Sequence, residues 1–327
     1  MDDALGRPLE TLRISVTDRC NFRCVYCMPK GEFGGHVFLE RRELLTLEEM
    51  ARLAVVFAGL GVRTVRLTGG EPLLRRNVEH LVELLAAIPA LEIALTTNGS
   101  LLAQKADALA RAGLDRINVS LGSLDDSVFG ALNDVGFPVA RVLDGIDAAV
   151  SAGLRVKVNA VVKRSVNEES VLALAAWFRG TGVPVRFIEY MDVGRTNGWR
   201  LDDVVSAAEI VRRIDAIWPL EPLEATGTAR RFRYRDGAGE IGVIASVTKP
   251  FCTACSRARL TAEGRLHTCL FGLQGHDLRE PLRAGADDDQ LAAEVERVWR
   301  TRTDRYSELR TAAGASLPKV EMSYIGG

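Results

Sequence analysis

Between residues 12 and 190 the sequence alternates six short apolar segments with helical segments, each of which is closed by Gly or Pro. Repeated strand–helix units of this kind predict a parallel sheet that is covered by helices. The predicted strands are rich in Val, Ile and Leu, as expected when both faces of a sheet are covered. They span residues 12–17, 62–67, 91–96, 116–121, 155–162 and 183–190. Periodicity alone does not separate an open partial barrel from a doubly wound sheet.

The helical segments carry their own boundary signals. The stretch Thr46-Leu47-Glu48-Glu49 resembles a capping box and predicts a helix that runs to about Gly59. Gly113 follows another helical segment and predicts its end. The remaining helices are predicted over residues 77–88, 101–112 and 168–179, with helical stretches between the fourth strand and residue 152.

Beyond residue 192 the alternation stops. Two segments that flank the turn at 236–239 predict antiparallel strands. The predicted elements of this part are helices over 206–217 and 287–300 and strands over 230–235 and 241–247. A chain of 327 residues can hold one large domain or one domain with an appendage. We therefore expect a strand–helix region over residues 1–192 and a second region over residues 193–327.

The loop after the first predicted strand carries Cys20, Cys24 and Cys27, spaced Cys-x3-Cys-x2-Cys. Three thiolates on one short loop suit a four-iron cluster and leave one iron without a protein ligand. An open iron can bind a small molecule, as an open zinc site does in catalysis. A structural zinc site would need a fourth ligand, and the nearest candidate, His36, lies past a Gly-rich turn. The spacing favours iron–sulfur chemistry, and three free or zinc-bound cysteines are the alternative.

A second triad, Cys252-x2-Cys255-x13-Cys269, lies in the C-terminal region. Its spacing alone suits a zinc ribbon, with His267 as the fourth ligand, about as well as it suits iron. Six cysteines in two groups of three favour metal binding over disulfides in a cytosolic chain.

The charge balance excludes some partners. A net charge of −1 argues against binding of nucleic acid or membrane through a broad positive field. A few local arginines can still bind a small anion. The amino terminus lacks an apolar run, so no signal peptide is expected, and the most apolar run, residues 53–62, is too short to span a bilayer. We expect a cytoplasmic protein.

With Tyr26 in its aromatic position, the first triad resembles the Cys-x3-Cys-x-aromatic-Cys signature of the radical S-adenosylmethionine enzymes. The resemblance implies an α/β fold: a partial (β/α)6 TIM-like barrel with a C-terminal extension that carries antiparallel strands and a second iron–sulfur cluster. It also implies that the open iron holds the amino and carboxylate groups of S-adenosylmethionine. One electron would cleave the sulfonium to methionine and a 5′-deoxyadenosyl radical. The positions that match the family's cofactor site are Tyr26, Gly70, Ser120 and Met191.

The second triad and its surroundings resemble the GTP 3′,8-cyclase family, the molybdenum cofactor biosynthesis protein A. The resemblance extends from Leu12 to the terminal Gly327. The motifs that carry it are both cysteine triads, Gly69-Gly70-Glu71-Pro72, Thr96-Thr97-Asn98-Gly99, Arg257-Ala258-Arg259 and the double-glycine tail.

This resemblance implies a lyase with two [4Fe-4S] clusters, the second of which meets the guanine base of GTP. The adenosyl radical would take the ribose 3′ hydrogen, and the ribose carbon would attack carbon 8 of guanine. Reduction and proton transfer would then give (8S)-3′,8-cyclo-7,8-dihydroguanosine 5′-triphosphate. The implied partners are cyclic pyranopterin monophosphate synthase, which acts on the product, an electron donor such as flavodoxin or ferredoxin, and a second copy in a homodimer.

The positions that match the family's substrate site are Arg13, Arg66, Thr97, Lys157, Arg257 and Arg259. Arg13 and Arg66 lie within apolar strands, where an unpaired charge is costly, and this favours a ligand role. The arginines of residues 230–235 have no match in the family and are expected on an exposed strand face.

The resemblance also gives a catalytic role to the tail, Gly326 and Gly327, together with Arg13. The apolar residues before the two glycines are expected to dock, so that the glycines reach the active site and the carboxylate pairs with an arginine such as Arg13.

Two positions depart from the family pattern. Gly122 stands where an aspartate is usual, so its hydrogen bonds are absent or supplied by Asp125, and Glu321 stands where an arginine is usual. Two other functions are considered: a radical S-adenosylmethionine peptide maturase with an auxiliary cluster, and a zinc-stabilised binding module without catalysis.

Overall fold

A single twelve-stranded sheet runs through the computed structural model, which describes residues 1–224, 227–310 and 320–326. Its strands are β1 Thr11–Ser15, β2 Thr64–Thr68, β3 Glu92–Thr97, β4 Arg116–Ser120, β5 Arg155–Val162, β6 Val185–Glu189, β7 Leu220–Pro222, β8 Arg230–Tyr234, β9 Glu240–Ile244, β10 Arg257–Leu260, β11 Arg265–His267 and β12 His276–Asp277. Their order across the sheet is β12-β11-β10-β1-β2-β3-β4-β5-β6-β9-β8-β7.

The strands β1 to β6 are parallel and follow one another in chain order. A doubly wound sheet would reverse its strand order at one point, and this sheet does not. Because crossovers between parallel strands share one hand, an unreversed order keeps the helices on one face and curls the sheet. The predicted partial barrel is therefore confirmed.

Strands from the C-terminal region extend the barrel at both edges. β10 pairs in parallel with β1, and β9 pairs in parallel with β6. Antiparallel strands follow on each side, β11 and β12 beyond β10, and β8 and β7 beyond β9. The predicted hairpin of β8 and β9 is confirmed. The strands before and after residue 192 belong to one sheet. The division of the chain into two regions at residue 192 therefore stays a prediction.

Helices connect the parallel strands and follow the C-terminal strands. They are α1 Lys30–Phe33, α2 Leu47–Gly59, α3 Val78–Ala86, α4 Leu102–Arg111, α5 Asp126–Asn133, α6 Val139–Ser151, α7 Ser170–Phe178, α8 Ala207–Asp215, α9 Arg279–Arg283, α10 Asp288–Arg300, α11 Tyr306–Leu309 and α12 Met322–Ile325. Thr46 caps α2 in the predicted capping box with Glu49. In the described residues, none of these helices is long and apolar enough to cross a membrane.

The two faces of the barrel strands have different neighbours because successive side chains point to opposite sides. Val65 and Leu67 of β2 are buried in the same hydrophobic core as Leu53 and Phe57 of α2. Arg66, between them in sequence, lines the cavity inside the barrel. Val62, predicted as part of this strand, is buried in the loop before it, so its apolar character reflects burial rather than strand structure. The sequence alternation thus produces an apolar outer layer and a polar interior.

Candidate active site

The open barrel encloses a cavity of about 310 Å³ that is lined by both cysteine triads. Cys20, Cys24 and Cys27 lie on the loop after β1, at the carboxyl end of the strands. Cys252 and Cys255 precede β10, and Cys269 follows β11. All six cysteines are free, half-buried thiols. The fold therefore brings two donor sets, which are more than 200 residues apart in sequence, to one cavity.

The first cysteine loop is held against the end of β2 by Gly69 and Gly70. The Gly70 amide donates to the Thr17 carbonyl at 2.9 Å, and the Glu71 amide donates to the Arg19 carbonyl at 2.8 Å. A side chain on either glycine would collide with these same carbonyl groups. From the sequence, we expected these glycines to let a ligand come close to the backbone. In the structure, the segment that lies close to the two glycines is the cysteine loop.

Glu71 joins the same loop to β3. Its buried carboxylate accepts hydrogen bonds from the Thr97 hydroxyl at 2.7 Å, the Asn98 amide at 2.7 Å and the Leu73 amide at 3.0 Å. Burial raises the pKa of this carboxyl to about 7. The Asn98 side chain donates to Asn21 at 2.8 Å. The sequence analysis gave Glu71 no role beyond its place in the Gly69-Gly70-Glu71-Pro72 motif. Its hydrogen bonds indicate that this motif holds the cysteine loop in place.

The first triad fits a metal cluster because it brings three thiol donors from one short loop to the same cavity. Burial raises the pKa of the Cys20 thiol to about 11 and that of Cys24 to about 12, and it raises the pKa of Cys27 well above its usual range. Buried thiols of this kind lose their protons when they coordinate a metal. His36 was considered as the fourth ligand if the first triad bound zinc. Its ring packs against two aromatic side chains, with its centre 5.0 Å from each of the rings of Phe33 and Phe38.

The second triad has a cationic environment. Burial raises the pKa of the Cys255 thiol, but Arg257 and Arg302 outweigh this effect and bring it to about 6. Arg257 donates to the Cys255 sulfur at 3.5 Å. His267, the alternative zinc ligand, is buried on β11, and burial lowers its pKa to about 4. A thiolate at Cys255 is thus favoured before any metal is considered, which also fits a metal cluster.

A row of arginines crosses the cavity. Arg66, Arg13 and Arg259 are register partners on the adjacent strands β2, β1 and β10, and Arg257 lies two residues before Arg259. Burial and neighbouring cations lower the pKa of Arg66 and Arg259 to about 9 and that of Arg13 well below its usual range. Within the described parts of the chain none of the four forms an ion pair with a carboxylate. Arg259 is buried and the other three are half-buried, and like charges that are withdrawn from water in this way are costly, so this row is suited to an anionic ligand.

Lys157 was predicted with these arginines, but it lines a separate cavity of about 140 Å³. Arg186 lines both cavities. Arg186 was not predicted from the sequence. Like Arg13 and Arg66, it is a charged residue within an apolar strand, and this feature could have identified it. Arg231 was expected on an exposed face; it is half-buried here and pairs with Glu240. The expectation is corrected for Arg231 alone, which is partly covered because it lines the smaller cavity and pairs with Glu240. The other arginines of this segment, Arg230, Arg233 and Arg235, are exposed as expected.

Three residues predicted for the cofactor, Tyr26, Ser120 and Met191, line the large cavity with Gly70. At Gly122, an added side chain would meet Leu132 at 2.7 Å, so glycine fits this packing. Asp125 does not replace the missing aspartate, because its exposed carboxylate caps α5 through the amides of Ser127 and Val128.

The tail returns to the cavity. Glu321 accepts hydrogen bonds from the Arg195 amide at 2.8 Å and the Thr196 hydroxyl at 3.1 Å, and Ile325 is buried. The Gly326 carbonyl accepts a hydrogen bond from Arg259. A side chain at Gly326 would collide with Thr68. The predicted docking is confirmed to this point; Gly327, with its expected pairing to Arg13, lies outside the described residues.

Two family models together match most of the chain. The Radical SAM superfamily model matches residues 14–178, and the Molybdenum Cofactor Synthesis C model matches residues 183–308. The "GTP 3′,8-cyclase" of Acidothermus cellulolyticus is 52% identical, over 99% of this chain and 98% of that protein. The protein of the same name from Staphylococcus epidermidis is 46% identical, over 100% of this chain and 99% of that protein.

Among solved structures, Streptococcus suis SuiB bound to S-adenosylmethionine has a TM-score of 0.64 and 16% sequence identity. The match covers 94% of this chain and 72% of that chain. At this identity the likeness concerns the fold alone. Because the full-length relatives share 46–52% of their residues with it, this chain belongs to the GTP 3′,8-cyclase family of the radical S-adenosylmethionine superfamily.

Proposed function

We propose that this protein converts GTP to (8S)-3′,8-cyclo-7,8-dihydroguanosine 5′-triphosphate, the first step of molybdenum cofactor biosynthesis. The observation that carries the proposal is a row of four arginines between two cysteine triads, in which Arg259 is buried and the other three are half-buried. None of the four has a carboxylate partner in the described chain. A nucleoside triphosphate supplies the negative charge that this row requires, and bidentate guanidinium groups match phosphate oxygens.

The first triad would hold a [4Fe-4S] cluster through Cys20, Cys24 and Cys27. With S-adenosylmethionine bound, this cluster would supply the 5′-deoxyadenosyl radical that removes the ribose 3′ hydrogen. Tyr26, Gly70, Ser120 and Met191 would orient the S-adenosylmethionine; Tyr26, Gly70 and Ser120 lie on different elements, and all four face one cavity. The cavity walls would keep water from the reacting carbon.

The second triad would hold another [4Fe-4S] cluster through Cys252, Cys255 and Cys269, next to the guanine base. Arg13, Arg66, Arg257 and Arg259 would bind the triphosphate, and Lys157 would reach its end from the smaller cavity. The Thr97 hydroxyl already donates to Glu71 and accepts from the Gly99 amide, so it would contact the nucleotide through its one remaining acceptor position. Gly326 would hold Arg259 in place through its carbonyl group.

The remaining partners belong to the same proposal. The product would pass to cyclic pyranopterin monophosphate synthase, and a flavodoxin or ferredoxin would supply electrons. We propose a cytoplasmic homodimer. A peptide maturase is the weaker alternative, because the relatives that cover the whole chain at 46–52% identity carry the name GTP 3′,8-cyclase.

The test uses anaerobically reconstituted protein with S-adenosylmethionine, a reductant and GTP deuterated at the ribose 3′ carbon. We expect a cyclic nucleotide one mass unit lighter than the deuterated GTP, because one electron from the reductant and one proton replace the deuterium atom, and we expect deuterium in the 5′-deoxyadenosine. Uncoupled cleavage would leave 5′-deoxyadenosine without deuterium and GTP unchanged, and that outcome would overturn the proposal. A Cys24→Ser variant is the control, since it should lose both products.

A further inference from the structure

A buried group of charged residues lies behind the second cysteine triad. Asp3, Arg7 and Arg302 are 6%, 2% and 4% exposed. One oxygen of Asp3 accepts from Arg7 Nε at 2.7 Å and lies 3.2 Å from Arg302 Nη1. The half-buried Asp304 adjoins this group: its carboxylate lies 3.6 Å from Arg302 Nε and accepts a hydrogen bond from the Thr268 hydroxyl at 2.5 Å. Burying charged side chains costs free energy, so a functional role for these residues is worth considering.

Both arginines bind the cysteine loop through its backbone. Arg7 Nη1 donates to the Cys252 carbonyl at 2.9 Å and to the Asp304 carbonyl at 2.7 Å. Arg302 Nη1 donates to the Cys255 carbonyl at 2.7 Å. Each guanidinium thus holds one of the two cysteines of the Cys-x2-Cys pair, and both line the large cavity with the triad.

The surrounding structure fixes both arginines. The amide of Asp3 donates to the Arg7 carbonyl at 3.0 Å, which closes a turn of the N-terminal segment. Trp299 donates to that same carbonyl at 3.3 Å, and its ring lies 4.5 Å from the Arg302 guanidinium. A buried charge that cannot move away keeps its full effect on its neighbours, because the protein interior screens it less than water does.

We infer that Arg7 and Arg302 are positioning residues of the second cluster, which hold its Cys252–Cys255 loop and raise its reduction potential, while Asp3 opposes them. The inference rests on the second cluster of the proposed function. A cluster with three thiolates becomes more negative on reduction, so a fixed cation nearby stabilises the reduced form. Hydrogen bonds and charge around the ligands are established means of tuning such potentials.

The experiment is an EPR-monitored redox titration of the reconstituted full-length protein and four variants. Arg302→Gln removes the charge but can still donate to the Cys255 carbonyl, and Arg302→Lys keeps the charge. Asp3→Asn removes the opposing carboxylate but can still accept the amide hydrogen bonds of Leu5 and Arg7. Arg297→Gln is the matched control, because Arg297 is exposed on α10 and pairs with Glu294.

We expect Arg302→Gln and Asp3→Asn, the two variants that change a buried charge, to move the potential of the second cluster in opposite directions. At the wild-type midpoint, Arg302→Gln should lower the ratio of reduced to oxidised cluster about tenfold, equivalent to 59 mV for one electron. Asp3→Asn should raise that ratio. Arg302→Lys and Arg297→Gln should leave it within about twofold of wild type, and the first cluster should keep its potential in every variant.

Any one of three results would overturn the inference. If both clusters assemble but the potential is the same in Arg302→Gln and wild type, the charge has no role, and the proposed function stands. If wild type carries only the first cluster, the second cluster of the proposed function fails together with the inference. If Arg302→Gln does not incorporate the second cluster, the titration of Asp3→Asn tests the inference instead. The inference predicts a higher reduction potential in Asp3→Asn, so an unchanged or lower potential would contradict it.

Discussion

Arg257 stands at the start of β10, with its guanidinium 4.9 Å from the Phe251 ring and a contact to the Cys255 sulfur. It lines the large cavity without a carboxylate partner in the described chain. We expect Arg257→Ala to weaken GTP binding by about 1.5–3 kcal/mol, the scale of hydrogen bonds to charged groups. Guanosine, which lacks phosphates, should bind wild type and variant alike. Equilibrium binding of both ligands measures the difference.

The control for this variant is Arg230→Ala, which removes an exposed arginine of β8. It should leave both affinities unchanged. Equal losses of GTP and guanosine affinity in Arg257→Ala would move Arg257 from phosphate binding to a structural role.

Lys157 allows a prediction about pH. Burial, and then the nearby Arg186 and Arg116, lower the pKa of Lys157 from 10.5 to about 8. Below that pH the empty site carries the ammonium charge, and above it the charge is lost. GTP affinity should therefore fall as the pH rises from about 7 to about 9, by no more than tenfold per pH unit for one proton.

The variant Lys157→Arg should reduce this pH dependence, because a guanidinium group keeps its proton to a higher pH than an ammonium group does. The lowered pKa values of Arg66 and Arg259, about 9, leave a smaller fall in affinity towards pH 9. Titration of GTP binding by calorimetry or fluorescence at several pH values would show it. A wild-type affinity that is flat across this range would exclude Lys157 as a phosphate ligand.

At the scale of elements, α12 carries Gly326 to the inside of the barrel with a φ of 74°. A methyl group there would collide with Thr68 and displace the carbonyl that accepts from Arg259. We expect Gly326→Ala to reduce GTP cyclisation at least about tenfold, equivalent to about 1.4 kcal/mol, while S-adenosylmethionine cleavage and iron content stay at wild-type levels.

Gly237→Ala is the control for Gly326→Ala, because it adds the same backbone strain without a steric collision. Gly237 also has a positive φ, of 80°, but nothing lies within 4 Å of an added side chain. It should lose stability modestly and keep cyclisation. If the two variants cyclise GTP equally well, the tail has no role in the active site.

Elements with local signals could be predicted from the sequence. The strand over residues 155–162 and the capping box at Thr46 are where the sequence placed them. The pairing of β10 with β1 and of β9 with β6 joins segments that are far apart in sequence, and no local pattern encodes it. The same limit explains why Arg7 and Arg302 were missed. Neither lies in a motif, and their roles depend on contacts made only in the folded chain.

For the whole molecule, the important result of folding is that both triads face one cavity. β1 leads into the first cysteine loop and pairs directly with β10, which follows the second loop. The arginines of this pair lie between the triads, so a nucleotide bound to them would lie between two clusters. Cofactor assembly at the two triads should nevertheless be independent, because each triad has three cysteines of its own.

We therefore expect a variant in which Cys252, Cys255 and Cys269 are all changed to Ser to lose about half of its iron and sulfide. Cleavage of S-adenosylmethionine should persist, since Cys20, Cys24 and Cys27 are intact, whereas cyclisation of GTP should be abolished. The matched variant, with the first three cysteines changed, should lose a similar amount of iron together with both activities. Chemical iron analysis and product assays under anaerobic conditions measure these outcomes. Full iron content in the first variant would mean that the second triad holds no cluster, and retained cyclisation would mean that such a cluster is not needed.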